Sequence, residues 1–278
     1  MTVTRFAPSP TGHLHLGHAH SALFAHGQAA GGSFLLRHED IDPGRCRPEF
    51  IGAVEEDLRW LGLSWPEPAR RQSEHLDDYV SALERLNGMG LLYPCFCSRG
   101  DIAHEIEQSG HAPHGPDGPL YPGLCRRLSA AEAGDRRAAG QPFALRLDMA
   151  KAVAMTGPLR WLDRGDGWQD AQPETFGDVV LARKDTPTSY HLAVTVDDAL
   201  QGVTLVTRGR DLFPASHVHR LLQSLLGLPV PEWYHHGLLT DENGRRFAKR
   251  DKSLTLRSLR EAGKTPDEVR ALAGFTSF

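Results

Sequence analysis

Residues 5–18 read Arg-Phe-Ala-Pro-Ser-Pro-Thr-Gly-His-Leu-His-Leu-Gly-His, and a packed core asks for few of these residue types. His15 and His18 are three apart, so on a helix they share the face of one turn. Both imidazoles can donate N–H groups to phosphate oxygens, and the Arg5 guanidinium can pair with a carboxylate. Gly17, between the two histidines, leaves room for a flat ring to approach the backbone. Three further sets carry chemistry. Glu39, Asp40 and Asp42 are carboxylates that can hold an amine or a metal, although Asp42 before Pro43-Gly44 reads as an Asx turn. Cys95, Cys97 and Cys125 offer three thiolates. Arg245, Arg246, Lys249, Arg250 and Lys252 form a basic cluster, with Arg257 and Arg260 close behind.

The surrounding pattern says which elements must position these groups. Residues 2–6 alternate like a strand, Pro8 and Pro10 end sheet pairing, and Ser9, Thr11 and Gly12 suit a turn that opens a helix. Leu16, Ala19, Leu23 and Phe24 follow a helical period that Gly31-Gly32 stops, and residues 33–37 read as a second strand. The first 37 residues therefore read as a βαβ unit with its loop at the carboxyl edge of the first strand. Open α/β sheets bind ligands at such an edge, and a helix N-terminus there attracts phosphate. Helices are expected from Pro48 to Gly62, over about 74–87 and over 216–227, and two short ones within 254–278. Strands are expected over 143–147, 159–162, 179–184, 190–198, 203–207 and 233–239. His217 and His219 read as surface or packing residues on their helix. The fold class is α/β, a doubly wound parallel sheet.

Net charge is −4 across 278 residues, which excludes a nucleic-acid binder held by bulk charge and leaves local basic patches to do that work. No run of about 18 apolar residues offers a membrane span, and no secretory leader is evident, so a cytoplasmic location is expected. Disulfides do not suit that compartment. Cys95-Phe-Cys97 followed by Cys125 instead suggests a metal site that needs a fourth ligand from Tyr121, His104, His111 or His114. Chemistry alone favours histidine, the commoner zinc ligand.

His15-Leu-Gly-His18 resembles the "HIGH" signature of class I aminoacyl-tRNA synthetases, and residues 5–12 are similar to the version in glutamyl and glutaminyl enzymes. Residues 246–250, Arg-Phe-Ala-Lys-Arg, resemble a degenerate "KMSKS" loop that keeps Lys249; a second register places Lys252 there instead. The resemblance implies a Rossmann-like catalytic domain in two halves, 1–90 and 141–240. It also implies a zinc-bearing insertion over 91–140 and a KMSKS-like loop with C-terminal helices over 241–278. It casts His15, Gly17, His18 and Lys249 as ATP-binding, with Mg²⁺ accompanying the nucleotide; His15, His18 and Lys249 would stabilise the phosphorus centre and the leaving pyrophosphate. It casts Arg5, Ala7, Ser9, Glu39, Tyr190 and Arg208 as the glutamate site, Arg5 facing a substrate carboxylate. Its C-x-C then Y-x-x-x-C pattern makes Cys95, Cys97, Tyr121 and Cys125 the ligands of one structural zinc.

The chain stops about thirty residues past Lys249, where full glutamyl-tRNA synthetases continue into a helical anticodon-binding domain. In this it resembles the short glutamyl-Q tRNA(Asp) synthetase family, which attaches glutamate to the queuosine base at the wobble position of tRNA(Asp). The resemblance implies a monomeric ligase with ATP, L-glutamate and the queuosine-bearing anticodon loop of tRNA(Asp) as partners, and no membrane. The competing readings are a minimal glutamyl- or glutaminyl-tRNA synthetase charging the 3′ end, and a non-catalytic tRNA-binding module. The two lysine registers separate by mutation. Lys249→Ala is expected to depress glutamate-dependent ATP–pyrophosphate exchange about 100-fold and Lys252→Ala much less; the reverse order selects Lys252.

Overall fold

Residues 1–109, 114–239 and 255–275 are described by a computed structural model of the chain. Strand β1 (Val3–Phe6) leads through helix α1 (Leu16–Ala29) to β2 (Ser33–His38), which pairs with β1 in parallel, Val3 opposite Ser33 and Phe6 opposite Leu36. This is the βαβ unit that the apolar spacing implies. Gly32 has no room for a side chain: a Cβ there would collide with the Thr2 carbonyl oxygen where the chain turns back onto β1. Helix α2 (Pro48–Trp60) starts on a proline, and short β3 (Arg70–Arg71) extends the sheet alongside β2 before helix α3 (Leu76–Gly88).

The cysteine-bearing region follows. It comprises β4 (Leu92–Cys95), α4 (Arg99–Ser109), a hairpin of β5 (His114–Gly115) and β6 (Gly118–Pro119), α5 (Ala130–Ala138) and β7 (Ala144–Leu147). Strand β7 runs antiparallel to β4, Cys95 opposite Ala144. After α6 (Met149–Thr156) come the hairpin strands β8 (Arg160–Asp163) and β9 (Gly167–Asp170), then β10 (Val180–Ala182), which covers the other edge of β7.

Helix α7 (Tyr190–Leu200) corrects the strand expected over 190–198. Every residue from 192 to 198 is buried, because α7 is packed on all sides. A helix without a solvent face carries no 3.6-residue polar period, and its β-branched run Val-Thr-Val imitates a buried strand. Strand β11 (Leu205–Gly209), helix α8 (Ala215–Leu225) and strand β12 (Glu232–His236) complete the second half. β11 and β12 are parallel, Arg208 opposite His235, and β8 joins the far side of β12, Trp233 opposite Asp163. The halves meet where the Thr204 N–H donates to the Val3 carbonyl at 3.0 Å and the Val3 N–H to Thr204 Oγ1 at 2.9 Å. The chain winds away from β1 and β11 in opposite directions, so their carboxyl ends form a switch-point crevice.

Two short helices, α9 (Leu256–Glu261) and α10 (Pro266–Leu272), occupy the C-terminal stretch as the pattern implies. Leu256, Leu259 and Val269 join the core around α1, and the Leu256 N–H donates to the Leu14 carbonyl at 2.8 Å. The stretch is thereby fastened to the histidine loop itself.

A buried ionic network ties the layers together from α7. Asp197 accepts from Arg70 Nε at 2.8 Å, Gln72 Nε2 at 2.8 Å and the Tyr79 hydroxyl at 2.9 Å. Asp198 accepts from Arg5 Nε at 3.0 Å, Arg5 Nη2 at 3.3 Å and Arg37 Nη1 at 2.8 Å. Burial opposes the charge on Arg37, but Asp198, Glu39 and Asp197 around it more than reverse that and raise its pKa. Removing one member of such a network strands the others in a dry interior. Asp197→Ala is expected to lower the unfolding free energy by about 3–5 kcal/mol in denaturant titration; a loss under about 1 kcal/mol would contradict the network's structural role.

Candidate active site

The loop after β1 builds one wall of a cleft of about 690 Å³ at the switch point. Pro8 and Pro10 cannot donate backbone hydrogen bonds, but their carbonyls accept from the Glu39 N–H at 3.1 Å and the Arg47 N–H at 3.1 Å. The loop after β2 is thus laced to the loop after β1, which brings Glu39 to the cleft. Arg5, Ala7, Ser9, His15, Gly17, His18, Glu39, Tyr190 and Arg208, nine residues singled out from the sequence, all line this one cavity. Lys249 and Lys252 lie outside the described residues, but the chain on either side is placed: Leu239 lines the cleft and Thr255 pairs with His15.

His15 is the N-cap of α1: its Nδ1 accepts from the Gly17 N–H at 3.1 Å. His18 Nδ1 reaches back to accept from the His15 N–H at 3.2 Å, completing a capping box made of two imidazoles. Because each Nδ1 is an acceptor, each neutral ring carries its proton on Nε2. The ring centroids are 3.8 Å apart. A Cβ on Gly17 would press to 3.1 Å from the His15 ring, which is why glycine stands there.

The two arginines of the cleft differ in their partners. Arg5 holds Asp198 with Nε and Nη2 and gives an Nη1 hydrogen to the Thr207 carbonyl at 2.9 Å, so its charge is largely answered within the protein. Arg208 is buried, yet its hydrogen-bond partners among the described residues are all neutral. Nε donates to His235 Nε2 at 3.1 Å, Nη1 to the Tyr190 hydroxyl at 3.3 Å and to His219 Nδ1 at 3.2 Å, and Nη2 to Ser216 Oγ at 2.5 Å. Burial lowers the Arg208 pKa, and burial with the nearby Arg208 charge drives His219 well below its ordinary value. Glu39 accepts from Arg37 Nη2 at 3.3 Å, and burial raises its pKa in spite of Arg37 and Arg5. The cleft therefore offers cations and imidazole N–H groups for anions, and one carboxylate for a cation.

Asp198, His219, His235, Ser216 and Asp163 were not singled out for the site. Of the two readings of His219, surface or packing, the structure takes the second: it is buried on the back of Arg208. Nothing in its local spacing marks it, since the contact spans β11 and α8. For Asp198 a signal existed: two adjacent acids closing an apolar run need buried bases. Asp42 is the Asx turn expected of it, accepting from the Gly44 N–H at 3.2 Å.

A second cluster lies in the cysteine-bearing region. The sulfurs of Cys95, Cys97 and Cys125 all stand within 4.8 Å of one another. The Tyr121 hydroxyl is 3.4 Å from Cys95 Sγ and 3.6 Å from Cys97 Sγ, and it accepts from the Cys125 N–H at 2.8 Å. Among the described residues no histidine joins this cluster, so His104 and His114 are not its fourth member; His111 lies outside the described residues. Burial pushes the Cys97 thiol up to about 12. Burial raises the Tyr121 phenol pKa in spite of the backbone N–H on its oxygen, and the Arg146 guanidinium lies 3.9 Å above its ring. Three soft sulfurs and one oxygen at this spacing suit a tetrahedral thiophilic cation.

The crevice, its histidine cap and its paired arginines define a nucleotide-dependent enzyme of the class I synthetase fold. The chain belongs to the class I tRNA synthetases (E and Q), whose catalytic domain it matches over residues 1–273. It is 51% identical to a glutamyl-Q tRNA(Asp) synthetase of Rhodobacter capsulatus, over 98% of this chain and 99% of the relative. It is 45% identical to another of that name from Nocardia farcinica, covering 96% of this chain and 82% of the relative. A glutamate tRNA ligase from Elizabethkingia meningosepticum, solved in complex with its amino acid, superposes with a TM-score of 0.80 at 26% identity; the match covers 98% of this chain and 60% of that one.

The cysteine cluster gives a direct test. Elemental analysis is expected to find about one tightly held metal ion per chain, lost in Cys97→Ser. A metal-free wild type rules the site out.

Proposed function

We propose that this chain activates L-glutamate with ATP and transfers the glutamyl group to the queuosine base at the wobble position of tRNA(Asp). The observation that carries the amino-acid half is Arg208, a buried cation whose partners are neutral, facing a cleft that also holds the carboxylate of Glu39. Glutamate answers both: its side-chain carboxylate meets Arg208, Tyr190 and the remaining N–H groups of Arg5, and its ammonium meets Glu39. Glutamine is rejected because its amide leaves a buried guanidinium uncompensated. Ala7 and Ser9 shape the wall beside the ligand.

The α-carboxylate of glutamate then attacks the α-phosphorus of ATP. The bond from that phosphorus to the bridging oxygen breaks, and pyrophosphate leaves. His15 and His18 present Nε2–H groups to the phosphates, and Lys249 adds its ammonium. Mg²⁺ bound with the nucleotide would supply charge neutralisation for the pyrophosphate. In the second step a queuosine hydroxyl attacks the acyl carbon, and AMP departs as the hydroxyl loses its proton. Cys95, Cys97, Tyr121 and Cys125 would hold a structural zinc, which would pin the 91–140 insertion between the halves 1–90 and 141–240. The same reading has the protein acting as a monomer in the cytoplasm.

The acceptor rests on the names and close similarity of the relatives from Rhodobacter capsulatus and Nocardia farcinica. Radiolabelled glutamate is expected to enter tRNA(Asp) carrying queuosine and to be absent from queuosine-free tRNA(Asp). Equal labelling of both, at a terminal ribose, would overturn the acceptor. Failure of ATP–pyrophosphate exchange at saturating glutamate would overturn the enzyme reading altogether.

A further inference from the structure

Behind Arg208 lies a buried pair that the proposed chemistry does not use. An arginine can only donate, so the His235 Nε2 that receives Arg208 Nε at 3.1 Å must be a bare acceptor. The proton of the neutral ring is then on Nδ1, and it is given to Asp163 Oδ2 at 2.6 Å. Asp163 is held in turn: its Oδ1 accepts the Gly165 N–H at 2.8 Å and the Asp166 N–H at 3.0 Å, and its Oδ2 the His235 N–H at 3.3 Å. Both side chains are fully buried. The sheet register puts them in line, since Arg208 stands opposite His235 across β11 and β12, and Asp163 is at the end of β8 beside β12. Burial, with the Arg208 charge, pulls the His235 pKa down to about 4, so the ring is neutral at physiological pH.

The contrast with Arg5 shows what the ring accomplishes. Asp198 grips Arg5 directly and takes up its charge, whereas a neutral imidazole stands between Arg208 and the carboxylate of Asp163. The imidazole fixes the direction of the guanidinium without neutralising it. Resting on the glutamate reading of the cleft, we infer that Asp163 and His235 are positioning residues for amino-acid recognition: Asp163 sets the His235 tautomer, and His235 aims Arg208 at the ligand carboxylate with its charge still available.

Asp163→Asn tests this. The asparagine amide can donate to Nδ1, which drives the proton to Nε2 and sets two donors, His235 Nε2–H and Arg208 Nε–H, against each other. In ATP–pyrophosphate exchange the KM for glutamate is expected to rise about 10- to 100-fold, with kcat and the KM for ATP within about twofold. His235→Gln, which keeps an acceptor oxygen, is expected to recover much of the glutamate KM, and His235→Leu to recover none. Nitrogen-detected NMR of the histidine rings is expected to show His235 protonated on Nδ1 in the wild type and on Nε2 in Asp163→Asn. A folded Asp163→Asn with an unchanged glutamate KM overturns the inference. So does a parallel loss of kcat and both KM values, the mark of a merely structural part. A wild type protonated on Nε2 overturns it without reference to activity. Absence of exchange in the wild type refutes the glutamate reading instead, and the tautomer then still decides what Asp163 does.

Discussion

Two adjacent carboxylates on one buried helix govern where the charges of this protein can go. Asp197 and Asp198 are neighbours on α7, so they point about 100° apart around its axis. One collects Arg70, Gln72 and Tyr79; the other collects Arg5, and Arg37 lies between them, 2.8 Å from Asp198 and 3.7 Å from Asp197. Through these residues α7 is bonded to β1, β2, β3 and α3 at once. Buried ion pairs contribute little net stability, because desolvation offsets the attraction. Their value here is geometric: guanidinium groups cannot wander when each has a fixed acceptor. The sheet edge that lines the cleft is held to a helix whose own position those arginines define.

That arrangement divides the labour between the two cleft arginines. Arg5 is committed to Asp198 and behaves as part of the scaffold as much as part of the site. Among the described residues Arg208 hydrogen-bonds to a hydroxyl pair and two imidazoles. The same residue type thus appears in one cavity as a neutralised strut and as an available cation, and the difference lies wholly in what stands behind it. From the sequence Arg5 was the guanidinium expected to receive a substrate carboxylate; in the cleft it also answers Asp198, whereas the hydrogen-bond partners of Arg208 among the described residues are neutral.

The parts of the fold legible in the sequence were those with a period or a stop signal. The βαβ unit, α2, α3 and the short C-terminal helices expose one face, α8 keeps a half-buried stripe at His217, Arg220 and Ser224, and Gly32 and Pro48 mark real steric boundaries. Helix α7 was not legible, because burial on every side erases the polar stripe that distinguishes a helix from a strand. The site divides in the same way. The signature loop, Glu39, Tyr190 and Arg208 could be named because chemistry-bearing types sit in a recognisable order, and they do converge on one cleft. Asp198, His219, His235 and Asp163 could not, since their meaning arises from contacts across strands and helices distant in the chain. Tyr121 is an intermediate case: residue chemistry alone favoured a histidine, but the turn that brings the Cys125 N–H to the phenol oxygen makes the tyrosine the group beside the sulfurs.

The capping box at the start of α1 has a consequence for how tightly the cleft can hold a phosphate. Both rings are tied by their Nδ1 atoms to the backbone of the same turn, so each side chain surrenders its rotamer freedom when the protein folds. An exposed histidine recruited only on binding would lose that freedom at the moment of association, at about 0.5–1.5 kcal/mol apiece. Here the entropy is already gone, and on the proposed nucleotide reading an arriving phosphate would meet two rings whose orientation the fold has already set.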